Sequence, residues 1–189
     1  GIKADSGKWY TCIQFLGAGG NAVTFLVLAT SGKYHGVLFA LKVFRKISQR
    51  ERRTRFLQEA DFLSKCEHPS LMKVFDSGEF QAGGSSYPFI VVEYLPERLF
   101  DVIRANRTSV TQKISFSMQL LSSLSYLETL EPQVIHRDIK PQNIFVKGGS
   151  CVLGDFGRGQ PRDVEAAHKV NVDGAAEGLQ IAGAGGVEA

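Results

Sequence analysis

The sequence lacks the features that would assign it at once to several large classes of protein. No apolar run approaches the length of a membrane span, and the N-terminus lacks a signal-peptide pattern. The net charge of +3 is too small to indicate nucleic acid as a partner. The three cysteines, Cys12, Cys66 and Cys151, have no CxxC spacing, which argues against a disulfide framework and a zinc site. These absences favour a cytoplasmic protein, with a nuclear location as the alternative.

Aromatic residues are missing from the C-terminal end of the chain. None occurs in residues 158–189, where alanine and glycine dominate, as in Gly183-Ala184-Gly185-Gly186. Such a segment cannot bury enough apolar surface to offset the entropy lost on ordering, so we expect a disordered tail. The chain as a whole is 43% hydrophobic, which is sufficient for a core in one or two compact domains.

The most informative stretch reads VIHRDIKPQNIFVKGGSCVLGDFG. A polar loop within it presents Asp138, Lys140 and Asn143 close together in sequence. A hairpin is predicted for residues 144–153, with a glycine pair in its turn. The hairpin returns Asp155 to the loop, so two carboxylates, an amide and an ammonium group are expected at one edge. This set suits phosphoryl transfer, in which one carboxylate accepts a hydroxyl proton.

These motifs resemble the catalytic loop and the metal-binding turn of the eukaryotic-type serine/threonine protein kinases. The first is HRDIKPQN at residues 136–143, and the second is the DFG that begins at Asp155. The resemblance implies that Asp138 is the catalytic base and that Lys140 steadies the transferring phosphate. It also implies that Asn143 and Asp155 bind Mg²⁺. ATP and Mg²⁺ are then the implied cofactors, and a protein with serine or threonine hydroxyls is the implied substrate.

A glycine-rich run, LGAGGNA at residues 16–22, lies between two predicted strands at residues 9–15 and 23–29. Taken alone, the run would be interpreted as an ordinary hairpin turn. Its place in the family order implies that its exposed N–H groups cover the nucleotide phosphates. The residues implied to contact nucleotide here are Gly17, Ala18, Gly19, Gly20, Ala22 and Thr24. Ala22 replaces a family glycine, which related nucleotide folds also tolerate. Thr24 replaces a family valine, which predicts nucleotide binding that is somewhat weakened rather than lost.

Residues 36–44, GVLFALKVF, form a nearly continuous apolar run that is broken by Lys42. A lysine inside a buried strand is costly unless its charge is paired, although a lysine on an exposed strand face remains the alternative. The run Ala40-Leu41-Lys42 matches the family strand whose lysine binds the nucleotide phosphates. The resemblance therefore places Ala40 and Lys42 at the nucleotide.

A helix is predicted for residues 48–66, because Phe56, Ala60 and Leu63 recur at helical spacing. Glu59 is flanked by these positions, so we expect it to face the sheet and to pair with Lys42. The start of this segment is densely basic, with Arg45, Lys46, Arg50, Arg52, Arg53 and Arg55. Most such runs are a solvated face, and a docking surface for an acidic partner or an activation-loop phosphate is the alternative.

Residues 92–95, VEYL, resemble the hinge that joins the two lobes of this family, where backbone groups meet adenine. Val92, Glu93 and Leu95 are therefore implied to line the nucleotide site. The predicted fold class is α+β. A small lobe at residues 9–95 has a five-stranded antiparallel sheet with one helix. A partial, mainly helical large lobe follows at residues 96–157.

Ser109 to Gln112 has the spacing of a capping box and is predicted to begin a long helix that ends near Leu130. Its main apolar stripe consists of Ile114, Met118, Leu121 and Leu124, and Leu120 and Leu127 widen it. We expect this stripe to be core.

The motifs of the family stop after Gly157, and no APE motif or later large-lobe helix can be recognised. This predicts a kinase truncated after the DFG motif, with an apolar patch exposed on the long helix and with weak activity. The rival hypothesis is a non-catalytic kinase-like binding protein that acts as a scaffold, or as a competitor of a partner kinase. Small-molecule phosphotransferases of this fold are disfavoured by the Lys140-Pro141 pair.

Overall fold

The computed structural model describes residues 1–131, 134–154 and 160–161. Within these residues, the first of two compact units comprises Gly1–Thr54 and Asp76–Val91. The second comprises Arg55–Phe75 and the described residues from Val92 onward. Asp155 and almost all of the predicted tail lie outside the described residues. The lobe boundary expected near Leu95 stays a prediction.

The largest sheet has six strands in the order β1-β2-β3-β4-β6-β5. The strands are β1 (Ile2–Lys3), β2 (Trp9–Ala18), β3 (Ala22–Ala29), β4 (Leu38–Phe44), β5 (Val74–Ala82) and β6 (Ser85–Glu93). Five of these strands, β2 to β6, lie within residues 9–95, as predicted for the small lobe, and Ile2 pairs with Tyr10 to add the short antiparallel strand β1 at the edge. A two-residue strand has too little periodicity to be recognised in a sequence.

The core of the first unit lies on β3 and β4. Val27, Leu41 and Val43 are almost completely buried, and so are the rings of Tyr10 and Phe39. These two rings meet edge to face, with their centroids 6.1 Å apart. Strands covered on both faces need apolar residues at successive positions, which explains why the apolar run of β4 is interrupted only by Lys42.

A buried carboxylate, that of Asp76, ties the N-terminal segment to β5. The hydroxyl of Tyr10 donates a hydrogen bond of 3.0 Å to Asp76 Oδ2, and the Ser6 hydroxyl donates to the same oxygen. Burial, and then the negative charge of Asp76, raises the pKa of Tyr10 well above its usual value. The cluster satisfies a group that would otherwise be costly to bury.

The described residues contain three α-helices: α1 (Arg50–Lys65), α2 (Leu99–Arg104) and α3 (Val110–Glu128). The first and the last lie where helices were predicted. The predicted capping box of α3 is confirmed. The Ser109 hydroxyl accepts from the N–H of Gln112 at 3.2 Å, and the Gln112 side chain accepts from the N–H of Ser109 at 2.9 Å. Within the described residues, no helix is long and apolar enough to cross a membrane.

The expectation that the main stripe of α3 is core was wrong for most of its members. Ile114, Met118 and Leu121 are 60%, 63% and 60% exposed. The buried residues of α3 are instead Phe116, Ser123 and Leu127. Periodicity shows that a helix has an apolar face, but it does not show which other segments cover that face.

The second unit contains a smaller sheet in the order β10-β9-β7, made of β7 (Glu97–Arg98), β9 (Ile144–Lys147) and β10 (Ser150–Leu153). The predicted hairpin is confirmed, with Lys147 opposite Ser150 and Gly148 at φ +59°. Two further short strands, β8 (Val134–Ile135) and β11 (Gln160–Pro161), pair with each other. The hairpin packs on α3, where the N–H of Cys151 donates to Gln119 Oε1 at 2.8 Å.

Candidate active site

The glycine-rich run forms the turn between β2 and β3, as the sequence indicated. Ala18 lies opposite Val23, and the N–H of Gly19 donates to the carbonyl of Ala22 at 2.8 Å. A Cβ added at Gly17 or Gly20 would meet no atom within 4 Å in the described part of the chain. The glycines therefore leave open space beside the backbone, which a ligand needs if it is to approach the N–H groups closely.

Gly17, Thr24 and Lys42 lie in one row across three neighbouring strands. Gly17 is paired with Thr24, and Thr24 is paired with Lys42. Directly opposed residues in antiparallel strands project to the same face with Cβ atoms about 5 Å apart. The Thr24 and Lys42 side chains therefore share a face, and Ala40, which is buried, lies opposite Leu26 farther along it.

Glu59 is a buried acid on α1, and it lies among the buried residues of that helix as predicted. Only 8% of it is exposed. An ionised carboxylate at that depth requires a compensating partner. Its pairing with Lys42 stays a prediction.

The polar loop after β8 is organised by His136, which is 2% exposed. Its Nε2 lies 3.0 Å from the carbonyl of Gly154, and its Nδ1 accepts the N–H of Asp138 at 3.3 Å. These contacts assign a proton to Nε2, since a carbonyl only accepts and an N–H only donates. Arg137 between them has φ +64°, a conformation that bulky residues rarely adopt. The buried ring thus holds the loop in a bent form against the hairpin.

The structure brings Asp138, Lys140 and Asn143 together. Lys140 Nζ lies 2.8 Å and Asn143 Nδ2 lies 3.0 Å from Asp138 Oδ2. The same Asn143 nitrogen also donates to the Asp138 carbonyl at 2.8 Å. Asn143 is 5% exposed, whereas the Asp138 side chain keeps 24% of its surface exposed. The carboxylate is therefore fixed from two sides while it remains accessible.

The β9–β10 hairpin fastens this loop to the rest of the second unit. The N–H of Gly154 donates to the Asn143 carbonyl at 2.9 Å. Leu153 forms a bridge with Leu71, through hydrogen bonds of 2.8 and 2.9 Å to Ser70 and Met72. Gly154 is the residue before Asp155, the other predicted metal ligand, whose position lies outside the described residues.

The predicted hinge is at the end of β6 and beyond it. Val92 and Leu95 are buried, and Glu93 forms an ion pair with Lys147 of the hairpin. Because that side chain is engaged, a role of Glu93 at a nucleotide falls to its backbone. The roles of Val92, Glu93 and Leu95 stay predictions.

Two kinds of site residue were missed in the sequence. His136 was given no role beyond its place in the motif, although a histidine between a buried strand and a polar loop can form hydrogen bonds that connect the loop to the strands beside it. Arg45 and Arg52 were interpreted as part of a solvated basic run, but both contact the glycine-rich turn. Arg45 directly follows β4, the strand that pairs with β3, whereas Arg52 lies in α1, and no sequence pattern indicates its contact with the turn.

Comparison with known proteins identifies the family. A model of the protein kinase domain matches residues 10–172, which is most of the chain. The chain belongs to the protein kinase domain family. This match continues beyond Gly157, the last residue of the recognised motifs. The resemblance to serine/threonine protein kinases and the predicted α+β kinase-like fold are both confirmed. Members of this family use ATP and a divalent metal ion.

Similar proteins are named as serine/threonine kinases. The kinase WNK of Caenorhabditis elegans is 32% identical over 163 residues, which cover 82% of this chain and 9% of the relative. The kinase Wnk of Drosophila melanogaster is 33% identical over 113 residues, or 58% of this chain and 5% of the relative. A probable serine/threonine kinase of Corynebacterium efficiens is 37% identical over 108 residues, or 56% and 16%. The chain therefore spans only a small part of the length of these relatives.

Proposed function

We propose that the chain carries the nucleotide site and the catalytic loop of a serine/threonine protein kinase, which transfers the γ-phosphoryl group of ATP to a protein hydroxyl. The observation that carries the proposal is the cluster in which Lys140 and Asn143 both donate to one oxygen of Asp138. Phosphoryl transfer depends mainly on positioning and electrostatics, and a carboxylate fixed in this way meets both needs.

Asp138 is the base in this proposal. The substrate hydroxyl oxygen attacks the γ-phosphorus, the bond from that phosphorus to the β-phosphate oxygen breaks, and the hydroxyl proton passes to the Asp138 carboxylate. Lys140 places a positive charge beside the incoming phosphoryl oxygens. Its contact with Asp138 is 2.8 Å long and half exposed, so the ammonium group can rotate between the carboxylate and a phosphate.

Mg²⁺ is the proposed divalent ion, and Asn143 and Asp155 are its proposed protein ligands. The donor chemistry fits, because Asn143 uses its Nδ2 toward Asp138 and offers its Oδ1, an oxygen of the type that Mg²⁺ prefers. When bound, the ion would neutralise charge on the phosphates. The buried amide of Asn143 therefore has two roles: it orients Asp138 and it presents an oxygen.

The nucleotide would be bound by the glycine-rich turn, β3, β4 and the hinge. Support comes from the row Gly17, Thr24 and Lys42, which places an ammonium group on the same face as the residues that follow the turn. Lys42 would contact the phosphates and Glu59 would balance its charge. The full proposed set is Gly17, Ala18, Gly19, Gly20, Ala22, Thr24, Ala40, Lys42, Val92, Glu93 and Leu95.

The test is incorporation of labelled γ-phosphate into a serine- and threonine-containing peptide library by the purified chain. We expect incorporation above that of Asp138→Asn, which keeps the shape of the side chain but removes its basicity. Asp101→Asn, an exposed acid on α2, is the matched control and should retain the activity of the parent chain. A folded chain that binds Mg-ATP but gives no more incorporation than Asp138→Asn would contradict phosphoryl transfer.

The second candidate is a non-catalytic kinase-like protein that binds a partner kinase or a scaffold. The observation in its favour is the exposed apolar face of α3 with Ile114, Met118 and Leu121. The same experiment separates the two, because a binding protein would show no difference between the parent chain and Asp138→Asn. A cytoplasmic location also stays a prediction.

A further inference from the structure

The side chains of Arg45 and Arg52, which follow β4 in the chain, both donate hydrogen bonds to the glycine-rich turn. Arg45 Nη2 donates to the carbonyl of Gly19 at 2.7 Å. Arg52 Nη1 donates to Oδ1 of Asn21 at 2.9 Å. One arginine thus holds the main chain of the turn, and the other holds a side chain of the same turn.

The main chain gives these arginines a fixed base. Ala22 is paired with Phe44 at the end of β4, and the N–H of Arg45 donates to the Asn21 carbonyl at 3.0 Å. The C-terminal side of the turn is therefore anchored to the end of β4 by backbone bonds, to which Arg52 adds its side-chain bond to Asn21. The Arg45 side chain extends from this anchor to Gly19, beyond the reach of the sheet ladder.

The position of the Arg45 side chain is energetically unfavourable in one respect. Its Nε is buried and, within the described residues, has no hydrogen-bond partner. A buried donor without a partner is unfavourable, so the bond to Gly19 must offset that loss. A guanidinium that served only as solvated surface charge would avoid this burial.

Side-chain contacts that hold the turn in one conformation should also favour ligand binding, because the turn is rich in glycine. Gly17, Gly19 and Gly20 lose more backbone freedom on ordering than other residues do. If a loop becomes ordered only when the ligand binds, the entropy lost on ordering weakens the binding. Holding the loop in its bound conformation beforehand recovers that affinity.

We propose that Arg45 and Arg52 are positioning residues that hold the glycine-rich turn in the conformation in which its N–H groups receive nucleotide phosphates. They act through Gly19 and Asn21, with no contact of their own with the ligand. The inference rests on the proposed nucleotide site, but the holding of the turn is measurable without nucleotide.

The first measurement is amide hydrogen exchange of the Gly19 N–H in the absence of nucleotide. In Arg45→Ala we expect this exchange to be at least about fivefold faster, because the turn opens more often once it is released. Arg50→Ala, which removes an exposed arginine at the start of α1, is the matched control and should exchange like the parent chain.

The second measurement is the Kd for Mg-ATP. We expect it to rise about three- to tenfold in Arg45→Ala and in Arg52→Ala, through lost preorganisation. Asn21→Ala should raise the Kd as much as Arg52→Ala does. The double variant of Asn21 and Arg52 should have a Kd no higher than that of either single variant, because the two residues act as a pair. Additive effects would mean that Arg52 acts by its charge alone, which overturns its positioning role.

The outcomes separate the two proposals. If the parent chain does not bind Mg-ATP, the proposed function fails, and the exchange of Gly19 still decides whether the arginines hold the turn. If Arg45→Ala exchanges like the parent chain, the inference is wrong, whatever happens to the affinity. Weaker binding with unchanged exchange would instead indicate direct contact of Arg45 with the phosphates.

Discussion

At the scale of single residues, the catalytic loop separates the groups that build it from the group that carries exposed charge. Asn143 is buried and makes two hydrogen bonds to Asp138, whereas the Lys140 side chain is 45% exposed and makes one ion pair. Exposed ion pairs contribute little to stability, but a buried donor removed from its acceptors costs more. The two residues should therefore fail in different ways.

We expect Asn143→Ala to lower the free energy of unfolding by about 1–3 kcal/mol, because the Asp138 carbonyl loses the Asn143 donor and the Asp138 carboxylate loses one of its donors. Lys140→Met should change it by less than about 1 kcal/mol. Both substitutions should reduce phosphate incorporation strongly. Urea unfolding together with the peptide assay checks this, and a stability loss in Lys140→Met equal to that of Asn143→Ala would contradict it.

Glu79 is the residue for which the structure predicts a dependence on pH. The hydroxyl of Ser86, which donates to Glu79 at 2.5 Å, holds the pKa of this carboxyl below its usual value, and the guanidinium of Arg53 acts in the same direction. Partial burial opposes both effects but is outweighed. The ionised form is thus favoured in the folded state.

Because the folded-state pKa is depressed, the stabilisation by Glu79 is present above the unfolded pKa of about 4.3 and is lost as the pH falls through the lower folded value. We expect the melting temperature of the parent chain to fall more steeply than that of Glu79→Gln as the pH drops below 5. The contrast should be modest, since the pair is about 40% exposed. Parallel curves for the two proteins would show that the contact does not exist in solution.

At the scale of elements, local signals predicted local structure well. The glycine pair predicted the β9–β10 hairpin, and Ser109 with Gln112 predicted the start of α3, because a turn and a cap are made by neighbouring residues. The face of α3 that is buried could not be predicted in the same way. It is decided by the hairpin, whose Cys151 contacts Phe116 and Gln119.

The cap of α3 provides the prediction at this scale. Ser109→Ala removes the acceptor for the Gln112 N–H and should lower the free energy of unfolding by about 1 kcal/mol. Ser117→Ala is the matched control on the same helix, since its hydroxyl only donates back to the Lys113 carbonyl, and should change stability by less than about 0.5 kcal/mol. Equal values for the two variants in chemical denaturation would exclude a contribution from the capping box.

At the scale of the whole molecule, the sequence predicted the order of the motifs but not the contacts that connect distant segments. Asp76, on which Ser6 and Tyr10 converge, lies in a strand that looked ordinary, and nothing near it in sequence indicates its partners. The contacts of Arg45 and Arg52 with the glycine-rich turn were not predicted, for the same reason. Long-range polar contacts depend on how elements pack, and a single sequence contains no periodicity that reports them.

The last prediction concerns nucleotide and the stability of the folded chain. A ligand that binds only the folded state stabilises it by mass action, by about 2.7 kcal/mol at a hundredfold excess over its Kd. We therefore expect Mg-ATP to raise the melting temperature of the parent chain. The increase should be smaller in Lys42→Ala, which loses the ammonium group opposite Thr24, and in Asp155→Ala, which loses a proposed metal ligand.

Lys73→Ala, which removes an exposed lysine just before β5, should keep the full increase and serves as the matched control. Mg²⁺ without nucleotide should give a much smaller shift, since the proposed protein ligands are few and phosphate oxygens complete the coordination. An increase of the same size in Lys42→Ala would show that nucleotide binds without the row formed by Gly17, Thr24 and Lys42. The role proposed for the glycine-rich turn, β3 and β4 in nucleotide binding would then have to be abandoned, even if phosphate transfer through Asp138 were observed.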